Sequence, residues 1–385
     1  MTRRLCLKLA LAGMAGLGAG CSTPGNASRA AAGITRARVL DALARANDYW
    51  QALTPPRQWA FWDVAAYHTG NMAAYRLTGN PAWRDYSATW AEHNAWRGAN
   101  SDVSANWKYN YGETNDHVLF GDWQICFQTY IDLYQLDPVK DPRKIARARA
   151  VIDYQMATPR NDYWWWADGL FMVMPVMTRL YQVTGNRQYL DKLLAYFSYA
   201  DTLMFDFEAG LYFRDAKYVY PKHQTRQGKK DFWARGDGWV FAALATTLPV
   251  VPKDHPAHAL LLARFQRMAA ALAPAQQPDG YWTRSLLDVQ QAPGAEASGT
   301  AFFTFGYLAG MNHGYLDRAA FTPVALRGWA FLADTALQPD GRLGYVQPIG
   351  ERAVPGQVVD RRSSTPFGVG AFLLAATEMA RFLEH

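Results

Sequence analysis

The sequence predicts an all-α protein, an (α/α)6 barrel of six helical hairpins. Three observations support this fold: helical segments alternate in character, short motifs repeat along the chain, and polar and aromatic clusters recur at the starts of the more apolar segments. Helices that are apolar on nearly all sides are buried, whereas amphipathic helices keep one face in solvent. An open superhelix or a simple bundle is the competing architecture.

The helical segments follow from the spacing of apolar residues and from Gly, Pro and Asn at their ends. The predicted ranges are 35–53, 62–78, 81–97, 114–135, 142–157, 167–183, 187–204, 235–249, 256–274, 299–312, 317–336 and 366–383. The runs 169–183 and 238–251 are apolar almost all round, whereas 143–154 and 186–199 are amphipathic. Alternation of the two kinds predicts an inner and an outer ring, with the inner-helix starts at one mouth.

Two motifs recur along the chain and support the hairpin count. The segment 75–83 (YRLTGNPAW) matches 181–189 (YQVTGNRQY), and QPDG occurs at 277–280 and 338–341. In the first pair an apolar helix ends at Thr-Gly-Asn, where Gly provides a left-handed C-cap and Asn caps the next helix. Repeats of roughly 50–60 residues, each a helical hairpin, favour a closed or solenoidal stack.

The N-terminal residues differ from the rest in composition. Residues 1–21 resemble a twin-arginine export signal, with Arg3 and Arg4, a short apolar stretch, and a lipobox-like Gly-Ala-Gly ending at Cys21. Residues 22–33 are predicted to be a flexible tether and 34–385 a single catalytic domain. We therefore expect an exported protein, either periplasmic or attached to a membrane through a lipid on Cys21.

The composition excludes several classes of protein. Half of the residues are hydrophobic and 19% are charged, which is typical of a folded domain. The net charge of +6 is too weak and too scattered for nucleic-acid binding. Beyond the signal only Cys126 remains, so neither a disulfide framework nor a Cys-rich metal site is expected. The 15 Trp and 21 Tyr favour a flat ligand such as a carbohydrate.

Three adjacent tryptophans, Trp164, Trp165 and Trp166, stand just before Asp168 at a loop-to-helix junction. There they can wall a pocket with the aspartate at its floor. Indole rings stack on the C–H faces of a sugar, and a carboxyl group among them can donate a proton. The alternative is that Asp168 only caps the helix.

Four further clusters precede other apolar helices. They are 113–122 (ETNDHVLFGD), 229–239 (KKDFWARGDGW), 296–302 (EASGTAF) and 361–367 (RRSSTPF). Because inner-helix starts gather at one mouth of a closed barrel, we expect the clusters to contribute to one site.

Three motifs resemble those of the unsaturated uronyl hydrolases of glycoside hydrolase families 105 and 88. They are W-x-D-x-L-F-M at 166–172, W-A-R-G-x-G-W at 233–239 and E-x-S-G-[ST]-A at 296–301. Family 105, the unsaturated rhamnogalacturonyl hydrolases, is the more similar, and the resemblance extends over roughly residues 35–385. It implies an (α/α)6 barrel without metal or other cofactor. Such enzymes remove a 4,5-unsaturated uronic acid from the non-reducing end of acidic oligosaccharides left by lyases.

The resemblance also implies roles for individual residues. Asp168 matches the general acid/base and Asp116 the second active-site aspartate. The implied substrate-binding residues are Trp166, Trp233, Arg235, Trp239 and Ser298. The guanidinium of Arg235 suits a bidentate pair with the uronate carboxylate. Taken without the resemblance, Asp116 can equally cap a helix, Arg235 can form a structural ion pair and Asp237 can serve a tight turn.

One position departs from the family pattern. After Gly-Leu-Tyr-Phe at 210–213 the pattern continues with a substrate-contacting His, whereas this chain has Arg214. We therefore predict that Arg214 takes part in substrate binding and alters the preference for the sugar or its aglycone. The insertion 218–230, with Lys222, Lys229 and Lys230, is expected to add positive charge on the same side.

The chemistry requires a protonated carboxyl group. The substrate is an enol ether, so a neutral Asp168 can protonate C4, water is captured at C5, and the resulting hemiketal opens to release the aglycone. Burial among indole rings raises the pKa of a carboxyl group, as this role requires. Two alternatives are a barrel enzyme acting on saturated uronosides, such as a glucuronidase, and a non-catalytic sugar-binding lipoprotein.

Overall fold

The computed structural model describes residues 33–108 and 116–384. These residues form twelve α-helices and one two-stranded antiparallel ribbon, β1 (Phe205–Asp206) and β2 (Leu211–Tyr212). The helices are α1 (Arg36–Leu53), α2 (Trp62–Thr78), α3 (Pro81–His93), α4 (Cys126–Leu136), α5 (Arg143–Ala157), α6 (Ala167–Thr184), α7 (Gln188–Met204), α8 (Ala234–Thr247), α9 (Pro256–Leu272), α10 (Ala297–Asn312), α11 (Arg318–Phe331) and α12 (Pro366–Phe382).

The even-numbered helices form a closed inner ring. Each of α2, α4, α6, α8, α10 and α12 contacts the next, and α12 returns to α2. The odd-numbered helices pack outside this ring, for example α7 on α6 and α11 on α10. Helix α10 is buried along nearly its whole length, whereas α5 is buried on one side only. The predicted (α/α)6 barrel is confirmed. Its inner ring consists of the more apolar helices because a helix that is apolar on all sides needs a full shell of neighbours.

Two glycines allow the first and last inner helices to meet. Gly70 of α2 and Gly370 of α12 lie so close together that a Cβ atom on either residue would overlap the backbone of the other helix. The missing side chains therefore let the ring close at this contact.

The repeated Thr-Gly-Asn motif ends two inner helices in the same way. Gly79 and Gly185 both have φ of 71°, and each backbone N–H donates to the carbonyl group of a tyrosine four residues earlier, at 2.8 Å. The Asn80 side chain accepts from the N–H of Ala82 at the start of α3. The predicted C-caps are confirmed, since glycine adopts positive φ without a steric penalty.

The predicted helix over 114–135 is wrong in its first half. Helix α4 begins at Cys126, after a 3₁₀ turn at Gly121–Trp123. The side-chain amide of Gln124 donates to the carbonyl group of Val118 and to Oε1 of Gln155, at 2.9 and 3.0 Å. These bonds hold the preceding chain in a non-helical path. Residues 109–115 lie outside the described residues.

The predicted helix over 81–97 is also too long, since α3 ends at His93. Ala95 and Trp96 have φ of 49° and 59°. This left-handed conformation cannot continue a right-handed helix. Most other helix ends agree with the prediction within two residues, although the last turns of the predicted 317–336 helix form a π turn, Leu332–Ala336.

Three inner helices are joined at their first residue to a loop that folds back over the mouth. In each case the first backbone N–H donates to a carbonyl group in the loop after the neighbouring outer helix. The pairs are Ala167 with Arg214 at 2.7 Å, Ala234 with Arg284 at 2.8 Å, and Ala297 with Tyr345 at 2.7 Å. These bonds decide which loop residues stand beside each inner-helix start.

Among the described residues, no helix combines the length and the apolar character that crossing a bilayer requires. The predicted export signal, Cys21 and nearly all of the tether fall in residues 1–32, which lie outside the described ranges. The prediction that Cys21 is lipidated therefore stays a prediction, as does the division into domains.

Candidate active site

A cavity of about 240 Å³ opens at the barrel mouth. It is built by the start of α2 with its preceding loop, the 3₁₀ turn before α4, the start of α6, and two loops that fold back over the mouth. Its lining residues are Trp59, Phe61, Trp62, Asp63, Asp122, Trp166, Asp168, Met172, Arg214, Ile349, Gly350 and Glu351. Segments far apart in the sequence therefore converge here, as the barrel prediction requires.

The three adjacent tryptophans occupy different environments. Trp166 is 1% exposed, lines the cavity and stacks on Phe120, with ring centroids 4.7 Å apart. Trp165 is partly exposed beside it, with centroids 4.8 Å apart. Trp164 is buried against Tyr196 and is a core residue. The predicted indole wall is therefore formed by Trp166, while Trp164 belongs to the core.

Asp168 lies in the first turn of α6, on the cavity wall. It does not cap the helix, because Trp166 occupies the N-cap position and no side chain caps it, so the capping alternative is wrong. The residue is 8% exposed, and its Oδ2 has no hydrogen-bond partner. Burial raises the pKa of Asp168, and the charges of Arg214 and Arg235 offset this only in part. A carboxyl group that resists ionisation suits a proton donor.

Arg214 stands beside Asp168 because its own carbonyl group is hydrogen-bonded to the first residue of α6. Its Nη1 donates to Oδ2 of Asp215 at 2.6 Å and lies 3.6 Å from Oε2 of Glu351. Its Nε lies 3.4 Å from Oδ2 of Asp168. The side chain is only 12% exposed and lines the cavity. Arg214 thus lies at the cavity, and its role in substrate binding stays a prediction.

Arg235 is not among the residues that line the cavity. It is 1% exposed, and its Nη1 and Nη2 donate to the carbonyl groups of Gln347 and Pro348 at 2.7 and 2.9 Å. Its guanidinium also lies 4.6 Å from the ring of Trp233 and 4.7 Å from that of Phe367. Burial lowers the pKa of Arg235 to about 10. The structure does not support its predicted contact with the uronate, because both terminal nitrogens already hold the loop that ends at the cavity.

Trp233, Trp239 and Ser298 also lie outside the cavity lining. Trp233 donates through Nε1 to Oε1 of Gln347 at 2.9 Å, and Trp239 is fully buried in the barrel. Ser298 donates through Oγ to Oε1 of Glu296 at 2.5 Å, and the same Oε1 accepts from the N–H of Gln347 at 3.1 Å. The structure therefore gives these residues a supporting role. Trp233 and the Glu296–Ser298 pair fix the loop at Gln347, and Trp239 fills the core.

Asp116 is exposed and lies next to the undescribed residues 109–115. It is not among the lining residues, so its catalytic role stays a prediction. Two other aspartates, Asp63 and Asp122, line the cavity. Asp63 and Glu351 were missed by the sequence reasoning. A signal for Asp63 was present, because Phe-Trp-Asp at 61–63 opens the first inner helix much as Trp-Ala-Asp opens α6.

The lysines of the 218–230 insertion do not line the cavity. Lys230 pairs with Asp206 and Glu208 at 2.7 and 2.8 Å, and Lys229 lies 3.7 Å from Asp288. The prediction that they add charge to the site is therefore not supported. Lys217, just before the insertion, lies 3.1 Å from the cavity residue Glu351.

No group of three or more His, Cys, Asp and Glu side chains suited to a metal ion occurs within residues 33–108 and 116–384.

Residues 36–383 match the profile of glycosyl hydrolase family 88. The chain belongs to this family of glycosidases. It is 30% identical over 339 residues to an unsaturated 3S-rhamnoglycuronyl hydrolase of Formosa agariphila, a match that covers 84% of this chain and 85% of that protein. The resemblance to the uronyl hydrolases is thus confirmed.

Solved structures support the same fold. A glycosyl hydrolase family 88 protein from Bacteroides vulgatus is 53% identical, with a TM-score of 0.88 over 91% of this chain and all of that one. A protein named as a polysaccharide lyase is 61% identical, with a TM-score of 0.88 over 91% of this chain and 98% of that one. A possible family 105 member from Salmonella enterica, 18% identical with a TM-score of 0.73, shares the fold.

Proposed function

We propose that this family 88 glycosidase removes a 4,5-unsaturated uronic acid from the non-reducing end of acidic oligosaccharides. The observation that carries the proposal is the buried carboxyl group of Asp168 on the wall of a cavity also lined by Trp166 and Met172. The name of the Formosa agariphila relative, an unsaturated 3S-rhamnoglycuronyl hydrolase, supports the same substrate class.

In the proposed reaction Asp168 starts protonated. Its proton moves to C4 of the enol ether, and positive charge develops at C5 and the ring oxygen. Water adds to C5 and returns a proton to the Asp168 carboxylate, which regenerates the acid. The hydrated product is a hemiketal that opens and releases the aglycone. The glycosidic bond is lost after hydration, so the carboxylate spacing that separates retaining from inverting glycosidases does not apply.

The test is to follow the ultraviolet absorbance of the conjugated double bond while the enzyme acts on lyase-generated oligosaccharides. Loss of absorbance with release of the aglycone is expected. Unchanged absorbance across pectic, arabinogalactan and glycosaminoglycan fragments would contradict the proposal. Release of saturated glucuronate, without any change in absorbance, would favour a glucuronidase instead.

A second candidate function is β-elimination at a saturated uronic acid. It is favoured by the 61% identical protein named as a polysaccharide lyase and by the contact between Arg214 and Asp168. In this reaction a base takes the C5 proton, the C4–O bond breaks, the C4=C5 bond forms, and the leaving sugar takes a proton. An arginine paired with the uronate carboxylate stabilises the charge that develops next to C5.

The two reactions change the same absorbance in opposite directions. Hydration removes the double bond from an unsaturated substrate, whereas elimination creates it in a saturated one. Incubating one enzyme preparation with a lyase-digested polysaccharide and with the undigested polysaccharide therefore decides between them. Tight oligosaccharide binding without either change would indicate a sugar-binding protein.

We also propose export through residues 1–21, with a lipid attached to Cys21. The support is the order of Arg3 and Arg4, the apolar stretch and the Gly-Ala-Gly-Cys sequence. In a bacterial host, cell fractionation with labelled fatty acid should place the label on the wild-type protein and not on Cys21→Ser. Export of both proteins without label would indicate cleavage by an ordinary signal peptidase.

A further inference from the structure

The loop that ends at Glu351 is fixed at its base and exposed at its tip. Arg235 holds the carbonyl groups of Gln347 and Pro348, and Glu296 accepts from the N–H of Gln347. At the tip, Ile349 is 62% exposed, and the side chain of Glu351 is 45% exposed at the cavity. A change in the position of the Glu351 carboxylate therefore needs only side-chain rotation.

The Glu351 carboxylate is held by three groups on the opposite loop. Tyr218 donates its hydroxyl to Oε1 at 2.7 Å, Lys217 donates to Oε2 at 3.1 Å, and Nη1 of Arg214 lies 3.6 Å from Oε2. Partial burial opposes ionisation, but these donors and the charge of Arg214 hold the pKa of Glu351 below its usual range. An ionised carboxylate therefore closes one side of the cavity.

Of the three carboxylates around Arg214, Glu351 is the one that can leave. The side chains of Asp215 and Asp168 are 2% and 11% exposed, whereas that of Glu351 is 45% exposed. Glu351 is also the farthest from the guanidinium, at 3.6 Å compared with 2.6 Å for Asp215 and 3.4 Å for Asp168. Because the Glu351 side chain is already 45% exposed, water can solvate the released carboxylate.

Arg214 and Lys217 are the cations at this side of the cavity that suit an incoming carboxylate. The terminal nitrogens of Arg235, the other guanidinium near Asp168, are bound to backbone carbonyl groups. The Nε of Arg214 has no hydrogen-bond partner although it is buried at the cavity. This side chain therefore retains an unused donor where a ligand can enter.

We propose that Glu351 is an internal competitor of the substrate: in the free enzyme it occupies the position on Arg214 and Lys217 that a terminal uronate carboxylate takes on binding. The inference rests on the proposed function only in requiring that a uronic acid enters the cavity. It applies equally to the hydrolase and to the lyase reaction.

The charges around Arg214 favour exchange of the Glu351 carboxylate for a uronate over addition of a uronate beside it. Arg214 and Lys217 already face two carboxylates, those of Asp215 and Glu351, and Asp63 and Asp122 also line the cavity. A uronate that entered without displacing Glu351 would leave an excess negative charge next to a buried aspartate, which is unfavourable in a cavity of low dielectric. Displacement of Glu351 into solvent leaves the number of negative charges next to Arg214 unchanged. The exchange therefore selects an acidic sugar over a neutral one.

The test is calorimetric titration of the full chain with glucuronate and with its methyl ester, which lacks the charge. The variant is Glu351→Gln, which keeps the size and the hydrogen-bond acceptor. The matched control is Glu208→Gln, because Glu208 is an exposed carboxylate paired with Lys230 at 2.8 Å and does not line the cavity. We expect Glu351→Gln to bind glucuronate about two- to fivefold more tightly than wild type at low salt, the range set by exposed ion pairs. The ester and the control should show no change.

Equal or weaker glucuronate binding by Glu351→Gln, or no glucuronate binding by either protein, would overturn the inference. A second variant, Arg214→Gln, should lower the preference for glucuronate over its ester, with Lys217 as the remaining cation, and an undiminished preference for the acid would also overturn it. These titrations need no turnover. A failure of the proposed reaction, seen as unchanged absorbance, is therefore distinguishable from a failure of the exchange.

Discussion

The two ends of the barrel each hold a buried aspartate on an inner helix, and the two carboxyl groups behave in opposite ways. At the end opposite the mouth, Asp132 of α4 lies 2.7 Å from both Arg76 and Arg179. Burial opposes its ionisation, but the two arginines hold the pKa of Asp132 below its usual range. At the mouth, Asp168 has one arginine at 3.4 Å and a raised pKa.

Burial therefore does not decide the ionisation state by itself. Asp132 accepts hydrogen bonds from Arg179 through both of its oxygens, whereas the contact of Asp168 with Arg214 lacks hydrogen-bond geometry. Arg214 also shares its charge with Asp215 and Glu351. An arginine bound by several carboxylates compensates each of them incompletely, which leaves the mouth aspartate able to carry a proton.

The largest effect is expected on turnover, when the proton-donating carboxyl group at the mouth is replaced. Asp168→Asn should lower turnover by about two to four orders of magnitude, since the amide cannot donate the proton to C4. The fold should persist, because asparagine keeps the size of the side chain and burial already disfavours the charged form of Asp168. Absorbance assays measure the rate, and circular dichroism checks the fold. Full activity of a folded variant would remove Asp168 from the mechanism.

The next effect should appear at the end opposite the mouth. Asp132→Asn leaves two arginines without their carboxylate and should cost about 3 kcal/mol of unfolding free energy, the lower end of the range for breaking a buried pair. Chemical denaturation measures this. The control is Asp162→Asn at the exposed pair with Arg160, where less than about 1 kcal/mol is expected. Equal effects at the two positions would show that the Asp132 cluster is not a strong ion pair.

A smaller effect should follow from removing the positive charge next to Asp168. Arg214→Gln removes a charge that lowers the pKa of Asp168, so this pKa should rise further. For the hydration reaction, the fall in kcat on the alkaline side should then move to higher pH, because Asp168 stays protonated longer. The pH profile of kcat at saturating substrate measures this. A shift to lower pH would contradict the assigned role.

Asp237 extends the comparison to a buried carboxyl group without a nearby cation. Burial raises the pKa of Asp237 well above its ordinary value, and the single bond from the N–H of Tyr212, at 2.8 Å, offsets this only in part. The folded chain therefore binds this proton more tightly than the unfolded chain. Its stabilising effect is present below the unfolded pKa and is lost as the pH rises through the folded value.

Asp237→Asn should therefore raise the Tm at alkaline pH and change it little near pH 4, which is close to the unfolded pKa of about 3.9. Thermal unfolding across this pH range measures the difference. A Tm gain that is largest in acid would show that Asp237 is ionised in the fold. This is the smallest of the four effects, because asparagine keeps the size of the side chain and the oxygen that accepts from the N–H of Tyr212.

Much of the fold was predictable from local patterns. The alternation of apolar and amphipathic runs located the helices, and the Thr-Gly-Asn motif located two helix ends, because these features depend on side chains close in sequence. The first half of the predicted 114–135 helix failed because the side chain of Gln124 binds Gln155, a residue on the next helix.

The site was predictable in part. Asp168, Trp166 and Arg214 lie at the cavity as expected. Arg235 could not be placed from the sequence, because an arginine suits a uronate and a set of loop carbonyl groups equally well. The choice between them depends on residues 347–350, more than a hundred positions away. Glu351 was missed for the same reason, since nothing in its neighbouring sequence indicates that its loop returns to α6.

The sequence by itself determined the helices, their inner or outer position and the aspartate at the start of α6, since periodicity and capping are local properties. Only the tertiary structure decided the electrostatic partners of that aspartate. The bond from the N–H of Ala167 to the carbonyl group of Arg214 brings this arginine to within 3.4 Å of Asp168, and two further carboxylates share it. Ionisation depends on charges within a few ångströms, and distances between remote segments are fixed only when the barrel closes.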